Sequence, residues 1–135
     1  MSDYINDPIS YAKDVVGKDP MAQFLGIAVD EVREGYARCS LTIIPEYLNA
    51  VERAHGAIIY ALIDQSLAVA SNSTGMVAMS LNVSVNYVAS ARAGEKLFGE
   101  AIPVKIGKKV SLWKIDVRST EDVLIATADG IAYHK

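Results

Sequence analysis

The chain has 135 residues, of which 51% are apolar and 21% charged, and its formal net charge is −3. This length suffices for one domain with an apolar core, and the acidic balance argues against a nucleic-acid-binding protein, which normally carries a basic excess. Cys39, His55 and His134 lack the spacing of metal ligands, and no glycine-rich phosphate loop is present, so we expect neither a metal nor a redox cofactor.

The first 25 residues predict a helical N-terminal segment. Residues 8–16 carry apolar side chains at helical spacing, residues 17–20 contain Gly and Pro and end that helix, and residues 21–25 form a second short turn. The N-terminus has acidic residues where a signal peptide has basic ones. No apolar run reaches the roughly 20 residues that cross a bilayer. We therefore expect a cytoplasmic protein without a membrane segment.

The next part of the chain predicts a strand pair and then a long helix. Strands are expected over residues 27–34 and 36–44, joined by a hairpin at Glu34-Gly35, and residues 48–54 form a loop. The helix runs from about residue 55 to 71 and is rich in Ala, Ile and Leu on nearly every side. Such a helix is typical of the centre of a protein rather than its surface.

The rest of the chain alternates with a period of two and predicts four strands. In the first, Leu81, Val83, Val85 and Tyr87 alternate with Ser80, Asn82, Ser84 and Asn86. The others are expected over residues 96–106, 109–118 and 123–133. A curved antiparallel sheet of about six strands would cover a helix that is apolar all round. We therefore predict one α+β domain over residues 1–135 with the hotdog fold, in which such a sheet wraps a long central helix.

One residue of the predicted central helix conflicts with its apolar character. Asp64 is the only charged side chain between Gly56 and Ser71. A carboxylate that is buried without partners is costly, even after the protein relaxes around it. Either a structural partner or a chemical reaction must offset that cost, so Asp64 is the first candidate for a functional residue.

Asp64 is also the last member of a spaced motif. Asn49 lies six residues before His55-Gly56, Asp64 lies nine residues after the histidine, and Ala70 to Ser73 follow. This motif resembles the acyl-CoA thioesterases of the hotdog superfamily, specifically the phenylacetate-pathway (PaaI-like) group, and the resemblance runs from about residue 22 to 133. It implies hydrolysis of an aryl or medium-chain acyl-CoA to the free acid and CoA, with CoA present only as part of the substrate.

The resemblance also implies a role for each residue of the motif. In the family, the backbone N–H at the position of Gly56 polarises the thioester carbonyl, and the acid at Asp64 is the general base or the nucleophile. The amide of Asn49 contacts the carbonyl or the attacking water, and His55 helps to hold the loop. Ser80 is the nearest match to a hydroxyl residue that the family places beside the acid to position water.

The helix rise adds a constraint that does not depend on the resemblance. Gly56 and Asp64 are eight residues apart, which places them roughly 12 Å apart along one helix axis. One thioester carbon cannot react with both groups at that distance. If both act on one substrate, they belong to two subunits whose helices run antiparallel across a twofold axis. The face that bears Asp64 also carries small residues that allow a close approach, namely Ala57, Ala61 and Ala68. We therefore predict a homodimer, with a homotetramer as its further assembly.

Simpler structural readings remain open for the same residues. Asp64 could bond a backbone amide or a polar strand residue such as Ser80 or Asn82. Asn49 could be a turn residue, for which Asn is well suited. His55 could be a contact at the start of the helix rather than an acid or base, because Asp64 already fills that role.

Further residues are candidates for binding the substrate. Tyr60 is one helical turn from Asp64 and could line an acyl pocket, although it could equally be a core or interface residue. Asn82 is the second candidate for contacting the reacting group. Arg92, Lys108 and Lys109 lie in predicted turns and could meet the phosphates of CoA, although single turn cations are usually only solvated.

Two functions other than a thioesterase are alternatives for this fold. A non-catalytic module that binds or senses acyl-CoA would need an output element, and the first 25 residues are too short and acidic for a DNA-binding helix-turn-helix. A hotdog hydratase would place an Asp and a His together, whereas His55 and Asp64 are nine residues apart. The acyl group, the choice between general base and nucleophile, and the type of tetramer are left open by the sequence.

Overall fold

The computed structural model describes residues 5–135, and residues 1–4 of the predicted N-terminal segment lie outside that range. Helix α1 spans Pro8–Ser10 and continues as a π-helical turn over Tyr11–Val16, and helix α2 spans Pro20–Leu25. Each helix has an aspartate at its N-cap followed by proline, which is the expected start signal. The prediction of a helical N-terminal segment is therefore confirmed from residue 8 onward.

Six antiparallel strands form one sheet. In chain order they are β1 Ala28–Arg33, β2 Tyr36–Thr42, β3 Ala78–Tyr87, β4 Lys96–Ile106, β5 Val110–Ser119 and β6 Leu124–His134. Their order across the sheet is β1-β2-β4-β5-β6-β3, so β1 and β3 are its two edges. Between β1 and β2 the hairpin loop is Glu34-Gly35, where the φ of +73° requires glycine. The hotdog fold and the six-stranded sheet are confirmed.

Helix α3, Gly56–Ser71, is the long central helix, and it packs against all six strands. The apolar core lies between this helix and the concave face of the sheet, where Leu62, Ile63 and Leu67 are fully buried against Trp113 and Ile115. Two glycines of the sheet, one on β4 and one on β6, let α3 pack close to it. A Cβ at Gly99 would lie 2.6 Å from the Ser66 Oγ, and one at Gly130 would lie 2.9 Å from a Leu67 methyl.

One side of α3 is open in the single chain, and it carries the small residues that are predicted to face a second subunit. Ala57 and Tyr60 are exposed, and Ala61, Asp64 and Ala68 are partly exposed. The expectation of a fully buried Asp64 is therefore wrong for the single chain. Its carboxylate lies at the edge of a helix face that no strand within residues 5–135 covers. This face lies beside the edge strand β3, so the sheet also ends there.

Strand β3 contains a bulge at Leu81 that divides its predicted polar row. Ser80 pairs with Ala132, whereas Asn82 pairs with Ile131, the neighbouring residue on β6. Adjacent residues of a strand point to opposite faces, and one inserted residue reverses the alternation. Ser80 therefore lies on the face toward the helix, while Asn82 and the later polar residues lie on the outer face. The strict alternation of this strand therefore breaks at Leu81, and of the two predicted neighbours of Asp64, Ser80 is on the helix side and Asn82 is not.

Two negative findings apply to residues 5–135. No helix in this range is long and apolar enough to cross a membrane. No three His, Cys, Asp or Glu side chains of the same range lie together in a way that could hold a metal ion. The single-domain boundary at residues 1–135 stays a prediction.

Candidate active site

The first turn of α3 is held by His55. This residue is the N-cap with an extended backbone (ψ 141°), and its Nδ1 accepts a hydrogen bond from the Ala57 N–H at 3.0 Å. The His55 N–H itself donates to the Tyr47 carbonyl at 2.8 Å. Since Nδ1 is occupied as an acceptor, the imidazole serves here to satisfy an amide that the helix leaves free. This is the loop-fixing position that the resemblance implied.

Gly56 presents an amide with no acceptor among residues 5–135. It is the first residue of α3, so its N–H has no partner within the helix, and none of the loops supplies one. Gly56 lines an open cleft of about 460 Å³, which we call the Gly56 cleft and which is also lined by Asn49, Arg53 and Tyr87. A free N–H at a helix N-terminus attracts negative charge, because the helix dipole is positive there.

Tyr87 lies against Gly56 and explains why a glycine stands there. Its O–H donates to the Gly56 carbonyl at 3.1 Å, and a Cβ on Gly56 would lie 3.2 Å from the Tyr87 Cζ. Burial raises the pKa of Tyr87, and nearby Tyr60 adds to that effect, so the phenol stays protonated and remains a donor. Tyr87 had no predicted role at the site, although its alternation with polar neighbours indicated a helix-facing side chain.

Asn49 is a turn residue, which is the structural alternative considered for it. Its Oδ1 accepts from the Val51 N–H at 3.0 Å and from the Arg53 N–H at 3.1 Å, which closes the loop before α3. Its side-chain N–H₂ group donates to no protein atom in the described range, and the residue lines the Gly56 cleft. The amide oxygen therefore builds the loop, while the amide nitrogen is available to a ligand.

Asp64 and Ser80 form the polar pair of the open helix face. The Ser80 hydroxyl donates to the Asp64 Oδ1 at 3.1 Å, across the interface between α3 and β3. This contact satisfies one oxygen and leaves the carboxylate half-exposed. Tyr60 lies one turn before Asp64, and its O–H is 3.5 Å from the Val83 carbonyl. Gly56, Tyr60 and Asp64 thus follow one line along α3, parallel to β3.

The fold brings only part of the predicted substrate-binding set together. Arg92 lies in the loop whose Ala91 carbonyl accepts from the Ala54 N–H, so it is at the Gly56 end of the helix. Lys108 and Lys109 lie beyond the other end of β4, which has 11 residues and a contour of roughly 36 Å. The three cations therefore form no common cluster within one chain. Asn82, on the outer face, does not reach Asp64.

A second opening lies on the other side of the first turn of α3. This α2 cleft has a volume of about 430 Å³ and is mostly apolar. Its apolar lining comes from α2, the segment before α3 and the helix itself: Met21, Leu25, Tyr47, Leu48, Ile58 and Ala61. His55 and Ala57 border it at the start of the helix, and Glu46 adds a carboxylate. No local sequence pattern indicated this cleft, because its residues come from three separate segments.

Other reactive side chains are poorly placed for catalysis. The thiol of Cys39 is fully buried, and burial raises its pKa to about 12, so it is not a thiolate near neutral pH. His134 is also buried, and burial lowers its pKa. Its Nε2 lies 2.6 Å from the Ser111 Oγ, which also accepts from the Trp113 Nε1–H. Both groups belong to the packing of the core.

Comparisons with known proteins agree with this picture. The family model described as the Thioesterase superfamily matches residues 52–126. A putative esterase of Archaeoglobus fulgidus is 37% identical over 126 residues, which cover 93% of this chain and 82% of that protein. The acyl-coenzyme A thioesterase PaaI of Escherichia coli is 27% identical over 112 residues, covering 83% and 80%. The solved structure of E. coli PaaI matches with a TM-score of 0.89 and 23% identity, covering 96% of this chain and 95% of that one.

Proposed function

The chain belongs to the thioesterase superfamily and is a thioester hydrolase, and on that premise we propose that it hydrolyses an acyl-CoA at a site shared by two subunits. One observation carries the proposal. The Gly56 N–H, which has no acceptor among residues 5–135, and the Asp64 carboxylate lie on the same helix, beside one open face, but roughly 12 Å apart. Each is half of a site, and a second copy of the helix would complete both halves.

The Gly56 N–H is the proposed oxyanion donor. As the thioester carbonyl becomes tetrahedral, negative charge develops on its oxygen, and a preorganised amide at a helix N-terminus stabilises that charge. His55 supports this amide by holding the first turn, since it engages the next N–H through Nδ1. Tyr87 supports it from the strand side through the Gly56 carbonyl. Asn49 lines the same cleft, and its amide nitrogen, which donates to no protein atom among residues 5–135, is proposed to orient the carbonyl or the water.

Asp64 of the other subunit is the proposed base or nucleophile. As a base, its carboxylate takes a proton from water, the water oxygen bonds to the carbonyl carbon, the C–S bond breaks and the proton passes to the CoA sulfur. As a nucleophile, it forms an acyl-aspartyl anhydride, expels the CoA thiolate and is released when water hydrolyses the anhydride. Ser80 holds Oδ1 in either case, so that Oδ2 is the oxygen proposed to act on the water or the substrate.

The small residues on the open face of α3 support the proposed dimer. Ala57, Ala61 and Ala68 are small and partly or fully exposed, so a second α3 can approach closely along this line. An antiparallel arrangement about a twofold axis sets each Gly56 beside the partner's Asp64 and gives two equivalent sites per dimer. The predicted tetramer would pair two such dimers, and a cytoplasmic location remains part of the proposal.

The first test is hydrolysis of a panel of acyl-CoAs by wild type and Asp64→Asn. The substitution keeps the shape and the Ser80 contact but removes the base, so we expect turnover to fall at least about 100-fold, as for other positioned bases. Undiminished turnover would refute the role of Asp64. A non-catalytic acyl-CoA binding module, the rival function, predicts CoA binding by calorimetry without turnover in the wild type.

A further inference from the structure

We propose that two dimers join into a tetramer through the outer face of the sheet, where an apolar stripe of one subunit lies on the same stripe of a second copy. The inference rests on the proposed dimer and adds the surface that builds the tetramer. Side-chain alternation defines the outer face. On β5, Ser111, Trp113 and Ile115 are buried toward α3, so the residues between them point away from the helix.

Six apolar side chains lie together on this face, at the end of the sheet that contains the β4–β5 turn. Val110 and Leu112 pair with Tyr133 and Ile131 across β5 and β6, and Tyr133 pairs in turn with Met79 at the edge. Ile102 extends the group onto β4. Five of the six side chains are 36–58% exposed, and Ile131 is partly exposed. We call this group the outer stripe: Met79, Ile102, Val110, Leu112, Ile131 and Tyr133.

The other half of the outer face has the polar side chains expected of a sheet that faces water. It carries acids and cations in register, among them Glu100, Lys114, Asp116, Arg118 and Asp129. The Lys114 Nζ lies 3.6 Å from the Asp129 Oδ1, and the Arg118 Nη2 lies 3.9 Å from the Asp116 Oδ2. The apolar character is therefore confined to the outer stripe and is not a general property of this face.

The outer stripe has the size of an interaction surface. Its side chains, which are roughly half exposed, present on the order of 400 Å² of apolar surface, as do the patches that mark interaction sites on monomers. A dimer carries two outer stripes, or on the order of 800 Å², which is about what each partner contributes to a standard interface. Removing that surface from water favours association.

The proposed dimer leaves the outer stripes free and places them on one side. The N-terminal segment covers the side of α3 that faces away from the sheet, where the Gln65 Nε2–H donates to the Val16 carbonyl at 2.8 Å. The open side of α3 lies beside the edge strand β3, so two subunits joined there stand side by side. The dimer axis relates their two outer stripes. A second twofold axis through both stripes therefore closes two dimers into a tetramer.

Charge selects the direction of that second axis. Lys108, Lys109 and Lys135 form a lysine rim at the end of the sheet beyond the outer stripe, since the His134 N–H donates to the Lys109 carbonyl and Lys135 follows. None of these lysines takes part in an ion pair within residues 5–135. An axis across the stripe would lay one lysine rim on the other, which repels. An axis along the stripe lays each lysine rim over the partner's polar half.

Leu112→Asp tests the outer stripe, with Val123→Asp as its matched control. Both residues are exposed to a similar degree (41% and 48%), but Val123 lies in the β5–β6 turn, outside the stripe. In sedimentation velocity we expect the wild type and Val123→Asp to be tetramers and Leu112→Asp to be a dimer. The dimer–tetramer dissociation constant should rise at least about 100-fold, because a carboxylate buried in an apolar contact is costly.

Activity separates this proposal from the proposed function. Leu112→Asp should keep kcat/KM within about twofold of wild type, because Gly56 and Asp64 lie on the opposite side of the sheet. Ile102→Lys gives a second reading of the same contact if circular dichroism shows that Leu112→Asp is unfolded. A dimeric wild type, a tetrameric stripe variant or a monomeric one would each overturn the stripe contact, whatever the turnover. Absence of acyl-CoA hydrolysis in the wild type would overturn the thioesterase proposal alone.

A charge exchange tests the direction of the axis. Lys108→Glu combined with Lys109→Glu should weaken the tetramer about tenfold, because acids then face the acids of the partner's polar half. Adding Glu100→Lys to this variant should recover most of the loss, since it restores opposite charges across the contact. A double variant that is as tetrameric as wild type, or a triple variant without recovery, would overturn the axis along the stripe.

Discussion

Replacing Gly56 with proline removes the proposed oxyanion donor without removing a hydrogen bond from the fold. The Gly56 N–H has no acceptor among residues 5–135, so its loss costs the folded chain nothing there. Gly56 is the first residue of α3, the helix position that proline favours most. His55, with φ −64° and ψ 141°, already has the extended backbone that a residue before proline must adopt. The perturbation is therefore confined to one N–H and the ring that replaces it.

The expected magnitude follows from the contacts of Gly56. Loss of one oxyanion donor costs roughly 100- to 1,000-fold in kcat, or about 2.7–4 kcal/mol. Proline also adds a Cβ, which would lie 3.2 Å from the Tyr87 Cζ and 3.4 Å from its Oη. These distances require the tyrosine ring to shift by a few tenths of an ångström. Gly56→Ala adds the same Cβ but keeps the N–H, so it isolates the steric effect.

The assay compares kcat and KM of Gly56→Pro and Gly56→Ala with the best acyl-CoA substrate of the wild type. Urea unfolding of each variant checks that the fold is retained. We expect the alanine variant to stay within about tenfold of wild type and the proline variant to be about 100-fold slower than the alanine variant, mainly in kcat. Equal rates for the two variants would refute the assignment of the Gly56 N–H as the oxyanion donor.

Mixed dimers extend the same perturbation to the shared site. Homodimers of Gly56→Pro and of Asp64→Asn are each expected to be at least about 100-fold slower than wild type. A heterodimer of the two has one site with both an intact Gly56 and an intact Asp64. Unfolding and refolding an equal mixture should restore about a quarter of wild-type activity, since about half of the dimers are mixed and each has one working site. If both groups acted within one chain, the mixture would stay inactive, and the twofold model would be refuted.

Three further predictions concern Asp64, the buried histidine and the close contact of helix and sheet. Ser80→Ala leaves one Asp64 oxygen free to turn and should lower kcat about tenfold with little change in KM, whereas an unchanged kcat would make the contact structural only. Burial lowers the pKa of His134 in the folded chain, so the neutral histidine contributes its full stabilisation above the ordinary pKa of 6.5, and this is lost as the pH falls below that value. Urea midpoints therefore decline between pH 7.5 and 5.5 in the wild type, and His134→Gln should make that decline smaller. Gly99→Ala places a Cβ 2.6 Å from the Ser66 Oγ and should destabilise the fold by roughly 1–3 kcal/mol in urea unfolding, with partial recovery when Ser66→Ala is added.

The predicted strands agree with the structure to within a few residues, and the predicted helix α3 to within one. Side-chain direction repeats every two residues in a strand and about every 3.6 in a helix, so a face that packs on the core leaves a local pattern. The α+β class followed from the same patterns, because a helix that is apolar on most sides requires a sheet around it. The predicted site motif was likewise local, since Asn49, His55-Gly56 and Asp64 lie within 16 consecutive residues.

Other features of the candidate site depended on residues that are distant in sequence. The predicted phosphate cations Arg92 and Lys108 are separated by the length of β4. The α2 cleft combines side chains from α2, the loop before α3 and α3 itself, and no pattern within any one of them predicts an opening. Tyr87 meets Gly56 across 31 residues of chain.

By itself, the sequence determined the hotdog architecture, the helix that carries Asp64 and the distance along it to Gly56, because these follow from periodicity and helix rise. Only the tertiary structure decided which side of the sheet each polar residue of β3 occupies, since one inserted residue at Leu81 brings Ser80 to the helix and sends Asn82 to the outer face. The tertiary structure also left Asp64 half-exposed, because the sheet ends at β3 and nothing in the described part of the chain covers one face of α3.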